Sequence, residues 1–142
     1  MRTALIAAAL AVLSSNTAVA ETAPAATSVR FVFETGAPTG KVMVALYDSA
    51  DAYAGGAPVK AVQVDVAAGQ TEAVFADLPA GDYAMKAFHD VDGDGKMNTN
   101  PFGMPTEPFA FSNNARGNMG PANWARAQFA ASGAVAQTIV IR

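Results

Sequence analysis

Asp90-Val91-Asp92-Gly93-Asp94-Gly95-Lys96-Met97-Asn98 sets three carboxylates at alternate positions ahead of a glycine. In a tightly curled loop such alternate side chains turn toward a common centre, where a hard calcium ion takes about six to eight oxygens. The spacing matches the first nine positions of the D-x-D-x-D-G calcium loop. On that reading Asp90, Asp92 and Asp94 supply side-chain oxygens and Gly95 the sharp turn. The carbonyl of Lys96 adds an oxygen, and Asn98 a direct or water-mediated one. Carboxylates held this close repel one another unless a cation neutralises them, so the loop is expected to be loose without metal. The position where the helix-loop-helix version places a bidentate Glu is Pro101, and Glu107 is the candidate to close the site by folding back. The expected affinity lies in the weak extracellular range of about 0.1–1 mM. The plainer alternative is a solvated turn, because Asp and Gly favour turns for conformational reasons alone.

Other chemistries find less support. His89 is the only histidine and the chain has no cysteine, so a zinc site would need all-carboxylate support. The expected role for His89 is a structural one, hydrogen-bonded at the base of the loop. Ser112 with His89 could be drawn as a nucleophile and base, but no Gly-x-Ser-x-Gly elbow surrounds the serine. Hydrolysis is a minor alternative to a non-enzymatic domain. Gly93 and Gly95 are flanked by acids that would repel phosphate.

The elements that must position this loop read as strands. Period-2 alternation and β-branched or aromatic residues mark Val29 to Glu34, Val42 to Tyr47, Val59 to Val66, Thr71 to Ala76, Tyr83 to His89, Ala127 to Ala131 and Val135 to Ile141. Gly36 to Gly40 reads as a hairpin-type connection, Asp48 to Pro58 as a loop or single helical turn, and Pro121 to Arg126 as a short helix. With no long amphipathic helix, about seven strands argue an all-β sandwich. Asp90 to Asn123 is the exception, a long run without strand periodicity, of the length usually reserved for functional or disordered segments. Its aromatics, Phe102, Phe109 and Phe111, with Trp124 just beyond it, argue for order. They either cover the open end of the sandwich, the favoured reading, or form a platform for a glycan or peptide.

The N-terminus carries Arg2, an apolar run from Ala4 to Leu13, and Ala18-Val19-Ala20 as a small-x-small cleavage site. That order is the pattern of a Sec signal peptide, with cleavage expected after Ala20. The apolar run falls short of the ~20 residues of a membrane span, so a protein released to the periplasm or beyond is expected. Residues 1–20 are read as the signal, 21–28 as a flexible lead-in and 29–142 as one domain. Without Arg2 the nine Lys and Arg become eight, against twelve Asp and Glu. That mildly acidic balance makes nucleic acid and anionic membrane poor partners.

The ordered series Leu78-Pro-Ala-Gly-Asp-Tyr-Ala, His89-Asp-Val-Asp-Gly-Asp-Gly-Lys-Met-Asn-Thr-Asn, Phe102-Gly-Met-Pro-Thr-Glu-Pro-Phe and Phe111-Ser-Asn-Asn resembles the secreted bacterial family of domain of unknown function 2141. The resemblance runs from Val29 to Ile141. It implies an exported immunoglobulin-like or prealbumin-like β-sandwich and no established activity. Members of that family often carry Asn where this chain has Asp92 or Asp94, so the resemblance itself implies no calcium.

Overall fold

The computed structural model describes residues 25–142; the stretch read as a signal peptide lies outside the described residues. The chain is all-β, its strands arranged in a three-stranded and a five-stranded sheet. In chain order these are β1 (Thr27–Glu34), β2 (Lys41–Tyr47), β3 (Lys60–Asp65), β4 (Glu72–Leu78), β5 (Gly81–Asp90), β6 (Phe109–Phe111), β7 (Phe129–Ala131) and β8 (Ala134–Val140). Among the described residues two short α-helices, α1 (Ala50–Gly55) and α2 (Trp124–Ala127), and a single 3-10 turn at Ser112–Asn114 interrupt them. One sheet runs β4-β1-β8; the other runs β3-β2-β5-β6, with β7 paired to the start of β5.

Alternation in sequence becomes alternation in burial. Val29, Phe31 and Phe33 of β1 and Val42, Val44 and Leu46 of β2 turn inward from opposite sheets into one core with Phe75, Met85 and Ile139. Phe31 lies at its centre, with ring centroids 6.2 Å from Phe75 and 5.8 Å from Phe129, both edge-on. At the β4–β5 corner the Tyr83 hydroxyl donates to the Pro79 carbonyl at 2.6 Å. A tyrosine bonded back to backbone just upstream of its strand is a hallmark of immunoglobulin-like sandwiches.

Three expectations are corrected. Gly36 to Gly40 does not close a hairpin: β1 pairs with β4 and β8 while β2 pairs with β3 and β5. The segment therefore carries the chain from one sheet to the other. Period-2 alternation reports which residues face the core but not which sheet a strand joins. Secondly, β1 begins at Thr27, which is buried, so the lead-in is shorter than composition suggests. Thirdly, Ala127 ends α2 instead of starting a strand, because Asn123 caps the helix through its Oδ1, which accepts from Arg126 N–H at 3.1 Å.

Replacing Phe31 by Ala should cost about 3–5 kcal/mol, the usual range for an aromatic lost from a close-packed core. The check is the urea midpoint, with an unchanged denaturant slope showing that the loss is in stability alone.

Candidate functional site

The site grows from the end of β5. That strand's inward face carries Tyr83, Met85, Ala87 and His89, and its last residue, Asp90, pairs across the sheet with Lys41. His89 is fully buried; its Nε2–H donates to the Thr39 carbonyl at 2.6 Å and its backbone N–H to Pro108 at 2.8 Å. Its Nδ1 has no partner among the described residues. The ring thus ties the β1–β2 crossing to the base of the loop. Ser112 lies elsewhere, accepting from Met85 N–H and donating to the Ala127 carbonyl, so the structure does not join it to His89.

Asp90 is only 2% exposed, and its carboxylate accepts three backbone N–H bonds. Gly93 and Asp94 donate to Oδ1 at 2.9 and 3.2 Å, and Gly95 to Oδ2 at 2.8 Å. The loop curls around this one side chain, and Gly93 and Gly95 make the curl possible by taking φ of 77° and 79°. Glu107 performs the matching task on the returning limb: Oε1 accepts from Val91 N–H and Oε2 from Asn98 N–H, both at 3.1 Å. Carboxylate oxygens of Asp90, Asp92 and Glu107 all lie within 4.8 Å of one another.

The group could hold a metal, since three anionic oxygens in so small a space suit a hard divalent cation. Of the residues expected from sequence, Asp90, Asp92 and Glu107 come together. Asp94 stands outside the group, its Oδ1 accepting from Lys96 N–H at 2.8 Å. Asn98 meets the group through its amide, with Nδ2 donating to Asp92 Oδ2 at 2.6 Å.

Beyond the acidic turn the chain forms a small hairpin. Thr106 N–H donates to the Asn98 carbonyl, Asn100 N–H to Met104, and Thr99 bridges Pro105. Asn100 organises the tip, its Oδ1 accepting from Phe102 and Met104 N–H, and Phe102 projects from it 90% exposed. The aromatic residues therefore divide. Phe102, Phe109 and Phe111 border one groove, with Phe111 largely buried, whereas Trp124 packs edge-on against Tyr53 at 5.8 Å, away from it. Asn113 and Asn114 bind backbone: Asn113 Nδ2 donates to Arg126 and Gln128 carbonyls, and Asn114 joins Thr138 and Val140 of β8. That contact also covers the free edge of β8.

Sequence reasoning missed Thr39 and Gly40. Gly40 has φ of 72°, and a Cβ there would overlap the Asp90 carbonyl. The only local signal was a glycine at the end of a turn segment; the requirement comes from a residue fifty positions away (Asp90), which local spacing does not reveal.

Residues 32–139 match the model of a family described as an uncharacterized protein conserved in bacteria (DUF2141). No curated protein matches the chain, and no solved structure does.

Gly40→Ala should destabilise the domain by more than about 1 kcal/mol, since it combines a positive φ with backbone overlap. Gly36→Ala, with open space around it, should stay within ~0.5 kcal/mol of the parent. Paired chemical-denaturation curves check both.

Proposed function

The chain belongs to the DUF2141 family, and from that premise we propose that it is an exported, non-enzymatic domain in which a calcium ion reinforces the excursion from Val91 to Asn123. The observation that carries the reading is the convergence of Asp90 and Asp92 with Glu107, which brings acidic oxygens from both limbs of the excursion to one point. A cation there would offset the mutual repulsion of three carboxylates and staple the outgoing limb to the returning one. Carbonyl and water oxygens complete the coordination shell. Export is supported by the n-, h- and c-region order of residues 1–20. Among the described residues no helix is long and apolar enough to cross a membrane.

A glycan or peptide partner is the second reading, and it draws on the exposure of Phe102 and Phe109. Trp124 packs elsewhere, which leaves that platform smaller than four aromatics.

Linkage sets the size of the expected effect. A cation that binds only the folded loop stabilises it by RT ln(1 + [L]/Kd). With Kd of about 0.1–1 mM and ~1 mM calcium, that is about 0.4–1.4 kcal/mol, or a rise in Tm of roughly 2–8 °C. The protein purified after expression from Met1 should begin at Glu21 by mass. Its Tm should climb with calcium from an EDTA baseline, while Asp92→Asn/Glu107→Gln stays flat. A parent indifferent to ~10 mM calcium, well above the expected Kd, would sink the cation reading. Full-length mass in the exported fraction would sink the cleavage.

A further inference from the structure

The five-stranded sheet has a second face, turned away from the core. On β5 the inward positions are Tyr83, Met85 and Ala87, so Lys86 and Phe88 point outward. Register places Met43 of β2 and Phe109 of β6 on either side of Phe88. Met104 and Phe102 of the hairpin and Met119 border this surface, along a half-open groove of about 1240 Å³. That volume is above the roughly 300–1,000 Å³ of most small-molecule sites, which leaves room for a long alkyl chain. Phe102, Met104 and Met119 are 90%, 63% and 102% exposed. Apolar side chains clustered in water around a concavity mark an interaction site, and methionines adapt their shape to flexible ligands.

The charge of the groove narrows the chemistry. Lys86 is its only charged lining residue, and no Asp or Glu borders it. The Lys86 ammonium sits 4.2 Å from the Tyr53 ring centroid and 5.1 Å from that of Tyr47, and donates to the Tyr53 carbonyl at 2.5 Å. The ion pair recorded among the described residues joins Arg30 and Glu72, so Lys86 has no carboxylate as counter-ion. Partial burial pushes its pKa down, the sign of a cation whose lost hydration nothing fully replaces. A groove that is apolar along its length and carries a single cation suits a molecule built the same way with opposite charge. A sugar would find few polar partners there, and a polyanion only one positive charge.

We propose that this groove binds a long-chain carboxylate of the fatty-acid class, its alkyl chain along the Met43, Phe88 and Phe109 surface and its carboxylate at Lys86 Nζ. The inference needs no cation, because Asp90 and Glu107 hold the limbs of the hairpin through backbone N–H bonds of their own, and it is tested without calcium. Oleate, below its micelle concentration and in EDTA, is titrated into the chain beginning at Glu21, with oleyl alcohol as the uncharged probe. The parent should bind one oleate about two- to fivefold tighter than the alcohol, as expected for one partly screened ion pair. Lys86→Met should erase that preference while still binding both. Arg116→Gln, which alters a cation bordering the adjoining hollow, should leave the preference intact. Met104→Asp, on the exposed hairpin and so without cost to the fold, should weaken both ligands. The proposal is overturned if oleate does not bind saturably, if the alcohol binds the parent equally well, or if the preference persists in Lys86→Met. Loss of the preference in Arg116→Gln instead would equally overturn the headgroup assignment. Should Lys86→Met fail to fold, the parent's oleate-to-alcohol ratio and Met104→Asp decide the matter.

Discussion

Five backbone N–H groups of the acidic turn and its exit depend on two side chains. Asp90 takes those of Gly93, Asp94 and Gly95; Glu107 takes those of Val91 and Asn98. Both carboxylates are buried, where an uncompensated charge or an unpaired donor is costly. Each therefore needs the loop backbone as much as the backbone needs it. The hairpin that follows, the placement of β6 beside β5 and the wall of the groove all stand on this mutual satisfaction. The sandwich anchors it: β5 delivers Asp90 at a fixed register against Lys41, and His89 and Gly40 lock the base from the other side.

The far end of the excursion is held by different means. The Tyr53 hydroxyl donates to the Ala122 carbonyl at 2.8 Å, and Tyr53, Phe111, Ala122 and Ala127 form a second small core. Burial in that core pushes the Tyr53 pKa up to about 12, so the phenol remains a donor across the physiological range. Ser112, with the Asn113 and Asn114 side chains, completes the attachment to β5, α2 and β8. The long segment is thus held at both ends by hydrogen bonds to buried side chains and to neighbouring elements, with the hairpin tip and Met119 left in water between them.

How much of this could be read from the sequence differs by element. Val42, Val44 and Leu46 announced their buried face because strand periodicity is local, and the core strands followed with ends displaced by a few residues. Sheet membership was not legible: the partners of β1 are β4 and β8, far along the chain, and nothing in Gly36 to Gly40 distinguishes a hairpin from a crossing. β6 was missed because three residues, Phe109 to Phe111, are too few to show a period. The turn chemistry of Asn100, Pro101 and Gly103 was available as a sign of the hairpin. At the site, Asp90, Asp92 and Glu107 were named from spacing and from the need for a closing carboxylate. That Asp94 turns onto the Lys96 amide was hidden, because an Asp side chain near free N–H groups has several local bonds of similar worth.

The dependence of the loop on its two buried carboxylates is tested most directly by amide hydrogen exchange, read residue by residue. The account predicts that Val91, Gly93, Gly95 and Asn98 are protected, and that Glu107→Ala releases Val91 and Asn98 while the strand amides of β2 and β5 keep their protection. Rapid exchange of all four in the parent, or protection of Val91 and Asn98 unchanged by the substitution, would contradict it.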